Sequence, residues 1–267
     1  MARPHVYTTQ AVVLRRSDFG EDSRLVTLLT PDRGKLNAVA RGARRSTSKL
    51  GCHLEPFTHC TLFLAQGRSL DLVTQASTIE SYRAVREHLL ATTAACYAVE
   101  LVDRATEHEL EQRAVFDLLN AFLSRLDRGG EPEALLRFFD MRILTLLGYR
   151  PALDRCAACG TGVDPLSVRF SPLQGGLHCS ACAASIEDAR RVSPEAVALL
   201  RLWQSGAYRT WEQHTPTGQP VAEAASLVRA CVQHAVEREP RSSRMLDRLR
   251  VAETDVAYHV TRSSPTT

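Results

Sequence analysis

Residues 6–80 hold five short β-prone runs and no apolar pattern long enough for a helix, which restricts this part of the chain to a small all-β unit. The runs are TTQAVVLRR (8–16), SRLVTLLT (23–30), KLNAVAR (35–41), FTHCTLFLA (57–65) and SLDLVTQA (69–76). Turn-forming segments separate them: DFGED, PDRG, the stretch ARGARRSTSK (40–49) and QGR. A sheet of five short strands leaves two unpaired edges unless it closes on itself. The spacing therefore predicts a five-stranded barrel of the OB-fold type over residues 1–80.

From Ser81 the apolar period lengthens. Leu89, Ala94, Tyr97, Leu101 and Val102 fall at helical spacing, AVFDLLNAFLSRL follows, and EPEALLRFFDMRILTLLGY places Pro132 at a helix start and Gly148 at its end. SPEAVALLRLWQS, with Ser193 as N-cap, and PVAEAASLVRACVQHAVE resume the pattern later. The expectation is a helical-bundle body in two parts, 81–150 and 186–267, interrupted by a small module at 151–185. The whole is an α+β multidomain chain.

The interruption carries Cys156-x2-Cys159 and Cys179-x2-Cys182, with nineteen residues between the pairs and glycines at 160, 162, 175 and 176. Two such turns can each present two thiolates to one ion, so Cys156, Cys159, Cys179 and Cys182 are the expected ligands of a single structural Zn2+. A closed four-thiolate shell has no open position for water, which assigns such a site to folding and not to catalysis. A disulfide framework fits poorly with a cytoplasmic chain, and a redox Cys-x2-Cys usually comes singly beside a βαβ unit. His178 is a spare candidate ligand. Cys52, Cys60, Cys96 and Cys231 are scattered.

Formal net charge is +3, with 33 Lys and Arg against 30 Asp and Glu. The excess is local: residues 1–80 hold 11 basic against 7 acidic side chains, and six of the basic ones are Arg33, Lys35, Arg41, Arg44, Arg45 and Lys49. Arg41, Arg44, Arg45 and Lys49 fall in a segment joining barrel strands, with Arg33 and Lys35 shortly before it; the six are candidates for neutralising phosphates, with Ser46, Thr47, Ser48 and the Gly42 N–H as additional donors. Phe19, Phe57 and Phe63 are the few aromatics nearby, and Phe57 and Phe63 suit a core. Stacking is accordingly expected to contribute little to a phosphate-dominated, salt-sensitive grip on DNA. A solvated basic face is the plain alternative.

Phosphate-loop, nucleophile-elbow and His-Glu-x2-His patterns do not occur. His53-Leu54-Glu55 matches part of a zinc-deaminase signature, but about a hundred residues separate it from the cysteine pairs. The chain is therefore read as a non-enzyme. No apolar run approaches a membrane span and the N-terminus lacks a signal-peptide core, so a cytoplasmic location without membrane contact is expected.

GKLNAVARGARRSTSKLGCHLEPF (34–57), the helical body, the four-cysteine insert and REPRSSRML (238–246) together resemble the RecO family of bacterial DNA repair proteins. The resemblance spans nearly the whole chain and implies a recombination mediator. Such a protein binds single- and double-stranded DNA, anneals complementary strands, contacts the C-terminal tail of the single-strand-binding protein SSB, and with RecR helps load RecA onto SSB-coated DNA. It places Arg33, Lys35, Arg41, Arg44, Arg45 and Lys49 at the DNA, and makes Arg241 and Arg244 part of a family motif. A zinc-containing helical adaptor whose barrel binds protein partners, and a metal-dependent enzyme acting on nucleic acid, are the competing readings.

Overall fold

The computed structural model describes residues 5–205 and 218–236, together with Ser242, Met245 and Leu246. Five strands, β1 (Val6–Phe19), β2 (Ser23–Thr30), β3 (Gly34–Ala40), β4 (His59–Ala65) and β5 (Asp71–Glu80), form a closed barrel in the order β1-β2-β3-β5-β4. Closure depends on β1, which is long enough to serve two neighbours. Val6–Val12 pair with β4, Val12–Phe19 pair with β2, and an irregularity between Val13 and Arg15 turns the strand from one sheet into the other. The β3–β5 seam is parallel and short, with Ala38 opposite Asp71 and Val39 opposite Leu72.

Side-chain alternation along β1 explains why the barrel has a body attached. Ala11 and Val13 point inward, onto Val26, Leu28, Leu62 and Leu64. Val12 and Leu14 point outward and are also buried, joining Leu29 and Phe57 in the core of the helices. A strand buried on both faces reads as a continuous apolar run, which is what AVVL supplies. Phe63 departs from its expected place in the core. Its β4 neighbours Leu62 and Leu64 take the inward positions, so its own ring faces outward and is 42% exposed.

Beyond the barrel come α1 (Arg83–Glu87), α2 (Leu89–Ala105), α3 (Arg113–Asp127) and α4 (Pro132–Leu146). Glu131 caps α4 by accepting from the Glu133 and Ala134 N–H groups, with Pro132 at the first helical position. Leu89, at the head of the predicted stripe, is solvent-exposed, whereas Ala94, Tyr97, Leu101 and Val102 are buried. Arg86 ties the barrel to the body: its guanidinium donates to Pro56 O at 2.6 Å and Thr58 Oγ1 at 3.0 Å, and lies 5.9 Å over the Phe57 ring.

The cysteine-bearing module contains β6 (Arg169–Ser171), β7 (Gly176–His178), a single turn α5 (Ser180–Ala183) and β8 (Arg190–Arg191), the strands in the order β7-β6-β8. Phe170 and Leu177 carry its apolar side into the helical core, beside Trp203 of α6 (Pro194–Ser205) and Val228 of α7 (Gln219–Ala235). Ser193 caps α6 through Ala196 N at 3.2 Å. Gly176 is required where it stands, because a Cβ there would lie 2.4 Å from Ala152 O.

Gly34 marks the tightest approach of the two units. Its φ is +60°, and a Cβ would stand 1.8 Å from Leu110 O in the α2–α3 connection. Gly20 has the same backbone (φ +63°) with no other atom within 4 Å of that position. Gly20→Ala should therefore cost about 1–2 kcal/mol from backbone conformation alone, and Gly34→Ala a further 1–3 kcal/mol or so from overpacking. Urea titration of the two variants checks this; equal losses would contradict the close junction.

Candidate nucleic-acid interface and metal centre

The basic segment after β3 is a folded loop. Ala43 is buried, Arg45 N donates to Gly42 O at 3.1 Å, Ser48 N donates to Arg45 O at 2.9 Å, and Gly42 adopts the left-handed φ of +66°. Arg44 N bonds Asp22 O at 3.0 Å, anchoring the loop to the β1–β2 hairpin. Ala43 O also packs against Gly51, where a Cβ would lie 2.7 Å away. Below the loop, Leu54 of the 3-10 turn Gly51–Leu54 fills the barrel core, and Glu55 pairs with Arg16 and, at 3.4 Å, with Arg24. The LEPF residues thus hold the loop's base.

The six expected DNA-contacting side chains do not form one patch. Arg41, Arg44, Arg45 and Lys49 project from this loop into solvent. Arg44 shares its charge with Asp18 (3.4 Å) and Arg45 with Asp22 (2.8 Å), while Arg41 and Lys49 have no ion-pair partner among the described residues. Both pairs are exposed, so each carboxylate holds its arginine weakly, in competition with water and salt.

Arg33 lies at the other end of β3, about 23 Å away along a seven-residue strand. Its guanidinium is 4.1 Å over the Tyr7 ring, beside Asn37, Gln66, Arg68 and His108 in a cleft of about 860 Å3. Tyr7 donates its phenol proton to Asp71, and burial, reinforced by that bond and by the Asp71 charge, raises the phenol above its ordinary range.

Lys35, the sixth of these side chains, is enclosed between barrel and helices. It is only 9% exposed, its ammonium pairs with Asp103 Oδ1 of α2 at 3.3 Å, and it also donates to the Asp103 carbonyl. The register of β3 turns this side chain toward the helices, so its charge is committed to the barrel–body junction.

A groove of about 460 Å3 opens beside the basic loop, lined by Phe19, Val39, Arg41, Arg45, Leu70 and Leu72. It is framed by the β1–β2 tip, the end of β3 and the β4–β5 connection. Phe19 was the aromatic with least apparent purpose in the sequence, and here its ring is 45% exposed.

At the metal-ligating candidates, the cysteine turns converge as their spacing predicts. The Sγ atoms of Cys156, Cys159, Cys179 and Cys182 all lie within 4.8 Å of one another, with Cys159 and Cys179 at 3.9 Å. Thiolates about 2.3 Å from a shared tetrahedral zinc would stand about 3.8 Å apart, so the set fits that ion. The chemistry of the donors agrees. Burial raises the Cys156 thiol, but the N–H groups of Cys159, Cys179 and Ala158 outweigh it and bring it down to about 5. Cys182, hydrogen-bonded to the thiols of Cys159 and Cys179, is pushed up to about 12. Four thiolates in this space call for a cation. His178 is buried outside the cluster, and both ring nitrogens lack a hydrogen-bond partner.

In the C-terminal Arg-Ser-Ser-Arg-Met-Leu segment, Ser242 donates from N (3.0 Å) and Oγ (2.7 Å) to Glu100 Oε2 of α2, and Leu246 is buried in the helical core. Arg241 and Arg244 lie outside the described residues. No helix among the described residues is long and apolar enough to cross a membrane.

Residues 1–82 match the family described as Recombination protein O N terminal, and residues 86–245 match Recombination protein O C terminal. A relative from Roseiflexus sp. (strain RS-1), named DNA repair protein RecO, is 43% identical over 248 residues, covering 93% of this chain and 87% of its own. Proteins of the same name from Dehalococcoides mccartyi (strain BAV1) and Nocardioides sp. (strain JS614) are 33% and 36% identical, covering 95% and 91% of this chain and the full length of each relative. The chain belongs to the RecO family of DNA repair proteins.

Proposed function

We propose that this protein is a non-catalytic recombination mediator in DNA repair, whose barrel is an OB-fold that holds DNA by its phosphates. The observation that carries this reading is the placement of Arg41 and Arg45 in the groove between the β1–β2 tip and the β4–β5 connection. Those loops and the adjoining strand face are where OB-folds take oligonucleotides. Arg41 and Lys49 offer uncompensated charge, and Arg44 and Arg45 can exchange their exposed aspartates for phosphate oxygens. Arg33 and Arg68, at the far end of β3, could extend the contact along the barrel.

A cationic surface of this kind accounts for strand annealing without a nucleotide cofactor. Two strands held by their phosphates repel less and meet at higher local concentration, while base pairing supplies the specificity. Both single- and double-stranded DNA suit such a grip, because each presents the same backbone. On this reading the partners are RecR, SSB through its C-terminal tail, and RecA as the protein loaded onto SSB-coated DNA. One Zn2+ held by Cys156, Cys159, Cys179 and Cys182 would fix the module's fold, leaving Phe170 and Leu177 seated in the helical core.

Fluorescence anisotropy across a salt series tests the DNA reading. The triple variant Arg41→Ala, Arg44→Ala, Arg45→Ala should bind more weakly and lose about 0.7–0.9 of log–log salt slope per phosphate contact removed. Asp18→Asn with Asp22→Asn should bind more tightly than the unaltered chain, because it removes the carboxylate charges beside Arg44 and Arg45, while Arg44 stays positioned by its bond to Glu21 O at 2.9 Å. An unchanged slope in the first variant would move DNA binding elsewhere. Elemental analysis tests the metal reading: about one zinc per chain is expected, with zinc lost and the melting temperature lowered in Cys179→Ser. Full thermal stability in a zinc-free chain would contradict a structural role.

A further inference from the structure

Phe19 is an exposed aromatic at the tip of an otherwise polar hairpin, and its surroundings are those of a planar, partly apolar ligand. The groove it borders is lined by the apolar side chains of Val39, Leu70 and Leu72, by Arg41 and Arg45, and by Asp22 and Asp71, whose carboxylates are engaged by Arg45 and by Tyr7. Exposure by itself does not make such a site. Phe63 is nearly as exposed (42% against 45%), yet it sits in mid-sheet on β4, opposite Thr8 and Gln75, outside this groove. At Phe19 one concavity combines a half-exposed ring, three apolar side chains and two guanidinium groups, of which Arg41 has no ion-pair partner among the described residues and Arg45 is held by the exposed Asp22 at 2.8 Å. A nucleobase with its flanking phosphates has the matching chemistry: a π face for the ring, an edge for the floor, and anionic oxygens for the arginines.

We propose that Phe19 is a base-stacking subsite for single-stranded DNA, with Val39, Leu70 and Leu72 beneath the base and Arg41 and Arg45 on the adjoining phosphates. The proposal rests on the reading of the barrel as a DNA-binding unit and adds a residue that discriminates between DNA forms. Duplex bases are already stacked on one another and offer Phe19 no free face, whereas an unpaired base does. The arginines hold either form; Phe19 favours the single strand. Because the contact recognises a π face and not a hydrogen-bonding edge, it is tolerant of sequence.

The test uses the full chain, anisotropy at one fixed moderate salt concentration, and three labelled probes: oligothymidylate, an abasic strand of equal length, and a duplex. Phe19→Ala and Phe19→Leu should each weaken oligothymidylate binding by about 5- to 150-fold, the range of one lost base stack. Abasic and duplex binding should stay close to that of the unaltered chain, and Phe19→Trp should restore the preference for oligothymidylate. Matching denaturation midpoints for the variants establish that the fold is kept. If Phe19→Ala binds oligothymidylate as tightly as the unaltered chain, while Arg41→Ala with Arg45→Ala loses binding, the stacking subsite is wrong and the phosphate grip stands. If the unaltered chain binds none of the three probes, the DNA reading of the barrel fails and the subsite with it.

Discussion

The double-sided burial of β1 is the constraint on which the rest of the structure depends. Ala11 and Val13 complete the barrel core, while Val12 and Leu14, one pleat away, complete the core of the helices. A one-residue slip of this strand would exchange the two sets, so the barrel's register and its attachment to the body are fixed together. Arg86 over Phe57 and the Lys35–Asp103 pair reinforce that junction at two further points. The consequence for function is positional: the helices cover one wall of the barrel, and the β1–β2 tip, the basic loop and the β4–β5 connection lie where solvent can reach them.

Charge is deployed differently at the two ends of β3. Toward the helices, Lys35 is enclosed and paired. Toward solvent, Arg44 and Arg45 are held by Asp18 and Asp22 in arrangements that water and salt can compete with. Exposed pairs of this kind keep long side chains in place without committing them, which on the proposed reading reduces the entropy lost on binding a phosphate. The zinc-type cluster is separate from this surface in sequence and in chemistry. Its four thiols close on themselves, and the module is linked to the remainder by Phe170 and Leu177 in the helical core and by Arg201 of α6, which donates to Leu153 O at 2.8 Å and pairs with Asp154 at 3.7 Å.

Much of this was legible in the sequence because local pattern determined it. Short β-prone runs bounded by Gly, Pro and Asp gave five strands, and Cys-x2-Cys spacing gave the cluster, since both depend on residues close together in the chain. What stayed hidden depends on partners distant in sequence. Nothing near Lys35 indicates that Asp103, sixty-eight residues on, will take its charge. Phe63 has the composition of a core residue, and only its place in the alternation of β4 sends it outward. Phe19 has no distinguishing pattern around it in the chain; the fold brings Leu70 of the β4–β5 connection and Leu72 of β5 alongside it. A rule that weighed aromatics at hairpin tips in small barrels would have singled it out.

The claim most exposed to test is that a phosphate-gripping barrel on a helical body is sufficient to bring strands together. The direct measurement is annealing of complementary oligonucleotides coated with single-strand-binding protein, followed by fluorescence resonance energy transfer with the full chain and no nucleotide added. The account predicts annealing well above the protein-free rate, slowing steeply as salt rises from about 50 to 200 mM. A rate equal to the protein-free control at low salt would contradict it.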